Sequence, residues 1–330
     1  MGVNCHGRYV GRGALVNSVR ALQLVTADGG VTELSRERNA ELFRAAFGGY
    51  GGLGVITEVE LDLDQNDRIE RRVQAVPLAD YPSFFRTTIL QDRTAVLHNA
   101  DLVPPGYDAP LCVSWYRSAA PLTETRRLIP RSESFAAERA TLSAIAGLPG
   151  GDWVRTHLVD PSRFRERAVM WRNFEASLDT RMLEPLGKSR SSWALQEYFI
   201  PVERFHAFAA KLAALLKQHG SDILNVSIRH SPADTAALLS WAPTEVFSFV
   251  LYYRQRPDSR SREAAGVWTR ALIDAALEYG GRYYLPYLLH ASVDQFRRSY
   301  PEAGRFTALK AQVDPANRFT NLLWNTYLPK

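Results

Sequence analysis

A chain of 330 residues that is 46% apolar and 11% aromatic can bury the core of one large or two medium globular domains. No run of about eighteen apolar residues occurs, which excludes a hydrophobic membrane-spanning helix. The net charge of +5 comes from scattered arginines with no Lys/Arg block, zinc-finger spacing or RNP motif, so nucleic-acid binding is disfavoured and an anionic ligand is suited.

Two cysteines, Cys5 and Cys112, give neither a disulfide scaffold nor a metal-ligand spacing, and no metal site is expected. Residues 1–20 interleave arginine and glycine where a signal peptide needs an apolar segment, so a cytoplasmic location is expected.

Asn4-Cys5-His6-Gly7-Arg8 has the texture of a site, yet it lies at a terminus, where chains are commonly untethered. Residues 19–26 alternate as a strand, Asp28-Gly29 marks a hairpin, and residues 31–34 return. Residues 35–47 read as a helix that Ser35 caps. Then come Gly48, Gly49, Gly51, Gly52 and Gly54, with Tyr50 and Leu53 the only side chains among them. So many glycines cost conformational entropy and are kept where φ > 0 or close backbone approach is needed. Free amides in such a turn can hold a phosphate or a nucleotide edge; a tight connection packed under another element is the alternative. The glycines alone leave both open, because GGxGGxG is neither a P-loop nor a dinucleotide fingerprint. Val55, Thr57, Val59, Leu61 and Leu63 then alternate with polar residues, which predicts a strand with one buried face.

Farther on, strands are expected at 71–76 and 111–117 and a helix at 80–90. Residues 118–192 read as loops and short helices. From Trp193 the pattern sharpens: strands at 193–200, 223–230 and 246–254, helices at 203–219 and 262–279, an extended 283–288, and a mostly helical 293–313. Strands joined by helices or long loops predict a broad, largely antiparallel sheet covered by helices on one face.

Asn4-Cys5-His6-Gly7, VRALQLVTADGGVTEL, LFRAAFGGYGGLGVITEVEL, and Val313-Asp314-Pro315 with Phe319 and Asn321 together resemble the FAD-linked oxidases and dehydrogenases of the vanillyl-alcohol oxidase (PCMH-type FAD-binding) superfamily. Within it the chain looks most like the decaprenylphosphoryl-ribose oxidase and aldonolactone oxidase branch. The similarity runs from about residue 3 to the C-terminus and is weakest over 100–190.

The resemblance implies an α+β protein: part of a PCMH-type FAD-binding domain at 1–65, a substrate (cap) domain with a large helix-covered antiparallel sheet at 66–305, and a tail at 306–330 returning to the first. It implies FAD as cofactor, lined chiefly through backbone by Asn4, Cys5, His6, Gly7, Gly48, Gly49, Gly51, Gly52, Gly54, Val55 and Ile56, with Asn321 from the tail. Relatives have a further N-terminal half with the pyrophosphate loop, so this chain is expected to lack that half or to need it as a separate partner. Relatives also carry lysine at the positions of Tyr287 and Ile228, so their substrate does not transfer.

A flavin takes hydride from an alcohol carbon at N5 while a base takes the hydroxyl proton. Glu197, Arg229, Tyr284, Tyr287 and His290 are polar groups on or beside apolar strands, and a buried charge there needs a partner or a job. They are the candidate catalytic residues, a plain Glu197–Arg229 ion pair with packed tyrosines being the alternative. The expected substrate is a small hydroxylated molecule, a sugar, polyol or lactone. The rival expectation is a catalytically inactive, partner-binding fragment.

Overall fold

The computed structural model describes residues 1–130, 132–137, 139–141, 164, 166–178 and 191–328. The expectation for 118–192 therefore falls about half outside the described residues.

Strands β1 (Val19–Val25), β2 (Val31–Ser35) and β3 (Val55–Leu61) form an antiparallel sheet of order β2-β1-β3. The hairpin turns as expected at Gly29, whose φ is 86°. Helix α1 (Ala40–Ala46) is shorter than the predicted 35–47. Ser35 ends β2, and its hydroxyl accepts the amides of Glu37 and Arg38, so it closes a turn and caps nothing.

The expected buried face of β3 is corrected. Leu22 pairs with Val59 but Leu24 pairs with Ile56, a bulge that leaves Thr57 extra and reverses the alternation. Ile56 and Val59 thus turn inward, while Val55 and Leu61 are 52% and 39% exposed.

The second sheet is eight-stranded among the described residues, in the order β11-β8-β10-β9-β5-β6-β4-β7. Its strands are β4 (Arg68–Ala75), β5 (Ala95–Leu102), β6 (Leu111–Arg117), β7 (Val169–Trp171), β8 (Ser192–Pro201), β9 (Ile223–Ser231), β10 (Val246–Gln255) and β11 (Arg282–Tyr283). All their pairings are antiparallel. The helices are α2 (Tyr81–Phe84, continued by a π-helical Phe85–Leu90), α3 (Arg172–Ala176), α4 (Phe205–Gln218), α5 (Ser259–Glu278), α6 (Val293–Ser299), α7 (Ala303–Val313) and α8 (Leu322–Tyr327). The stretch 293–313 is mostly helical as expected, in two helices broken at Pro301, which has no amide to donate.

Period-two alternation divides the central strands cleanly. Tyr198, Ile228 and Phe249 share one face, where Phe249 packs on Phe205 and Phe208 of α4 and the Tyr198 hydroxyl reaches Thr269 O of α5. Glu197 and Phe199 of β8, Ser227 and Arg229 of β9, and Ser248 and Val250 of β10 share the other. Helices cover the first face; the second carries the polar groups.

The N-terminus is not loose, contrary to expectation. Asn4 is fully buried at φ 46°, its amide donating to Asp234 (2.8 Å) and its Oδ1 accepting from Val16 N, while Trp241 Nε1 donates to its carbonyl. Val10 N then donates to Val96 O and His98 N to Arg8 O, so residues 8–10 lie alongside β5 as a short extra pairing.

Candidate active site

Anchored at Asn4 on one side and at β5 on the other, the chain between them carries His6 onto the polar sheet face. Its side chain is 4% exposed and lies beside Trp241, Phe199 and Tyr284, with centroids at 4.7, 5.3 and 5.9 Å. His6 Nε2 stands 2.6 Å from Glu197 Oε1. Tyr287 donates its hydroxyl to Glu197 Oε2 at 3.3 Å, and Tyr284 donates its amide to the Glu197 carbonyl. The Tyr284 hydroxyl donates to Val3 O, tying the N-terminal segment to the loop after β11.

Burial by itself would raise the Glu197 carboxyl; the charge and hydrogen bond of His6, then the charge of Arg229, outweigh it and hold the group below its ordinary range. Tyr284 and Tyr287 are pushed far up, by burial first and by the Glu197 charge second, so they stay phenols and donate. Arg229 Nε and Ser248 Oγ are buried on the same face with no partner among the described residues. An ionised carboxylate, an imidazole, a phenol and a guanidinium with a spare donor can take a proton and stabilise developing charge.

Of the predicted catalytic residues, Glu197, Arg229, Tyr284 and Tyr287 come together. His290 does not. Its carbonyl accepts from Arg270 and its Nδ1 lies against Gly266, both on α5, the helix that covers the opposite sheet face. Ile228 also faces the helices and is fully buried, so the cation on this strand is its neighbour Arg229. Sequence reasoning gave His6 a cofactor-lining role, and missed Trp241 and Ser248. Trp241 stands alone in a loop of small residues with no periodicity to flag it, and a serine in an aromatic strand carries no signal by itself.

The D-arabinono-1,4-lactone oxidase family profile matches residues 153–328, more than half of the chain. The chain belongs to this family. Its members are FAD-dependent oxidases. Bovine L-gulonolactone oxidase is 24% identical over 343 residues, covering 100% of this chain and 72% of its own length. Rice cytokinin dehydrogenase 9 is 36% identical over 78 residues, 24% of this chain; the chain spans 15% of that protein's length. The crystal structure of cholesterol oxidase from B. sterolicum superposes with a TM-score of 0.68 at 14% identity, covering 99% of this chain and 74% of the other, a likeness of fold.

The family's cofactor can be tested against these residues. On the polar sheet face the fit is good: the orphaned Arg229 Nε and Ser248 Oγ, beside His6 and Tyr287, suit the polar edge of a flavin ring and its substrate.

The glycine turn is packed within the protein. A Cβ on Gly52 would sit 2.5 Å from Trp324 Nε1, and one on Gly49 or Gly54 would overlap the carbonyls of Ala45 or Val25. At Gly48 (φ 74°) a Cβ would press on Leu239 O at 3.1 Å; of the five, Gly51 alone faces open space. Trp324 Nε1 donates to Gly49 O, Asn321 Nδ2 to Tyr50 O and Lys310 Nζ to Gly52 O, each within 2.9 Å. Gly49 and Gly52 thus pack against Phe306 and Trp324 of the C-terminal helices, Gly48 against Leu239 and Gly54 against Leu24 and Val25 of β1, while Asn321 holds Tyr50 O and Asn4 bridges Asp234 and Val16. Cys5, Gly51 and Val55 remain exposed.

Proposed function

We propose that this chain is the catalytic part of an FAD-dependent oxidoreductase acting on a CH–OH group of a sugar, polyol or lactone-type substrate. The observation that carries the reading is the buried Glu197, held ionised between His6 and Tyr287 on the sheet face. When bound, FAD supplies a hydride acceptor at its N5. The chain's own part is proton and charge control. The hydroxyl proton of the substrate is received by the buried Glu197 carboxylate, whose Oε1 stands 2.6 Å from His6 Nε2. Tyr287 and Tyr284 hold the carboxylate and its strand in place, and Arg229 offers its spare Nε to the oxygen as charge develops on it. Trp241 and Phe199, stacked at 4.4 Å, keep water from the imidazole.

Rapid mixing of flavin-loaded protein with polyols, sugars and lactones tests this. Glu197→Gln should slow flavin reduction by about a hundredfold or more, the scale of a lost general base. Unchanged rates in Glu197→Gln and in Arg229→Ala would remove the sheet face from the chemistry.

A second reading is favoured by one observation. Strand β3 pairs only with β1 among the described residues and leaves Val55 and Leu61 largely exposed, with Leu63 beyond it 86% exposed. Such an edge accepts a further strand. A separate FAD-binding half seated there would make this chain a partner-binding subunit without activity alone. Flavin absorbance that appears only on adding such a polypeptide would establish it; stoichiometric flavin in the isolated chain would exclude it.

A further inference from the structure

The face that carries Glu197 does not end with it, and what lies farther along speaks to the size of the substrate, given the oxidoreductase reading above. Along β8 the residues sharing Glu197's face are Leu195 and then Trp193. At about 3.4 Å per residue Trp193 lies roughly 14 Å from Glu197 along the strand. On β10 Val250 stands opposite Glu197 and Tyr252 opposite Leu195, with no break in register.

The rings of Trp193 and Tyr252 stack at 5.3 Å with 19° between planes, and both residues are half-buried. Asn225 of β9 stands opposite Tyr252, also half-buried. Trp193 Nε1 is buried and has no acceptor among the described residues. The face therefore reads as a strip: a proton-handling cluster, an apolar floor of Leu195 and Val250, then an aromatic pair with an unmatched donor and a side-chain amide beside it.

We propose that Trp193 and Tyr252 form a subsite for a second sugar ring, so that the substrate class is a glycoside or disaccharide whose reacting carbon lies at Glu197. A single lactone ring seated at Glu197 does not reach across that distance. A pyranose matches the far end in both respects: its flat C–H face lies on aromatic rings, and its rim of hydroxyls supplies the acceptor that a buried indole N–H requires. A simple alkyl chain would leave Trp193 Nε1 and Asn225 unmatched.

The test is calorimetric binding of methyl β-D-glucoside and methyl β-D-cellobioside, ligands that differ by one ring. The wild type should bind the cellobioside about tenfold more tightly, a difference of about 1.4 kcal/mol. Trp193→Ala should erase that advantage and leave glucoside binding unchanged; Trp193→Phe, which keeps a ring but loses the donor, should retain part of it and decides the matter if the alanine variant fails to fold. Equal binding of the two ligands by the wild type, binding of neither, or an advantage that survives Trp193→Ala would each overturn the subsite. Glu197→Gln separates this from the parent reading: a ring advantage retained there upholds the subsite even where flavin reduction shows no oxidation chemistry.

Discussion

Gly52→Ala isolates what the glycine turn is for. Gly52 does not have a positive φ, so alanine meets no backbone penalty there, and the added Cβ would fall 2.5 Å from Trp324 Nε1 and 2.9 Å from its Cδ1. Trp324 is 3% exposed, stacks on Phe306 at 4.6 Å and donates to Gly49 O, so it has nowhere to retreat. Overpacking a tight core costs about 1–3 kcal/mol, and breaking the bond to Gly49 O leaves a buried group unsatisfied for about 1–3 kcal/mol more. The expected loss is therefore about 2–6 kcal/mol.

Gly51→Ala is the control: its φ is 73° with nothing within 4 Å, so only the left-handed backbone cost of about 1–2 kcal/mol applies. Guanidinium unfolding followed by far-UV circular dichroism measures both. Trp324→Ala should itself cost about 3–5 kcal/mol, and in that background Gly52→Ala should be nearly free. If the two changes add within about 0.5 kcal/mol, or if Gly52→Ala is no worse than Gly51→Ala, the turn is not a seat for Trp324 and the packing argument fails.

Asn4→Ala should lower stability by about 2–4 kcal/mol, because it takes the partner from Asp234 Oδ2 and from Val16 N, both buried; denaturant midpoints decide, and a neutral result would mean the N-terminal segment is only loosely held. Limited proteolysis should find residues 1–12 resistant in the wild type and cut early in that variant. The Glu197 carboxyl sits below its ordinary 4.5, so its contribution is complete above that pH and fades as pH falls below it. Glu197→Gln should accordingly narrow its stability gap to the wild type on acidification to about pH 4. His98, enclosed by Tyr81 and Ser114, is lowered by burial from 6.5 to about 3, so the unfolded chain alone takes up its proton between those values and stability drops with pH across that range. His98→Gln should flatten that limb, and an unaltered acid profile would place the loss elsewhere.

Local pattern made most of the central sheet readable. The strands at 111–117, 193–200, 223–230 and 246–254 fall within a residue or two of their observed bounds, because each is a short run rich in aromatic and β-branched residues that is buried for most of its length. The helix at 205–218 was legible from its Phe205, Phe208 and Leu212 stripe, which is fully buried. Strand β5 went unread. Its buried residues include His98 and Asn99, polar groups satisfied by other elements that no local window shows.

The glycines alone left a ligand cradle and a packed connection both open, because the turn's partners Trp324, Lys310 and Asn321 lie more than 250 residues away in sequence. In the site, Glu197, Arg229 and the two tyrosines stood out as charge or hydroxyl in apolar strands. His290 stood out equally but belongs to the far side, since the sharp path after Tyr287 reverses its direction and pattern cannot show that.

The bond from Asn4 to Asp234 spans 230 positions, and the Tyr284 hydroxyl reaches still farther back, to Val3. At ribosomal speeds of about 5–20 residues per second, roughly 10–50 seconds separate the synthesis of the two ends of that bond. During that interval the segment bearing His6 has no lodging, and the groove it will occupy does not exist. His6 can therefore meet Glu197 in its final setting only after Asp234 and Tyr284 have been made.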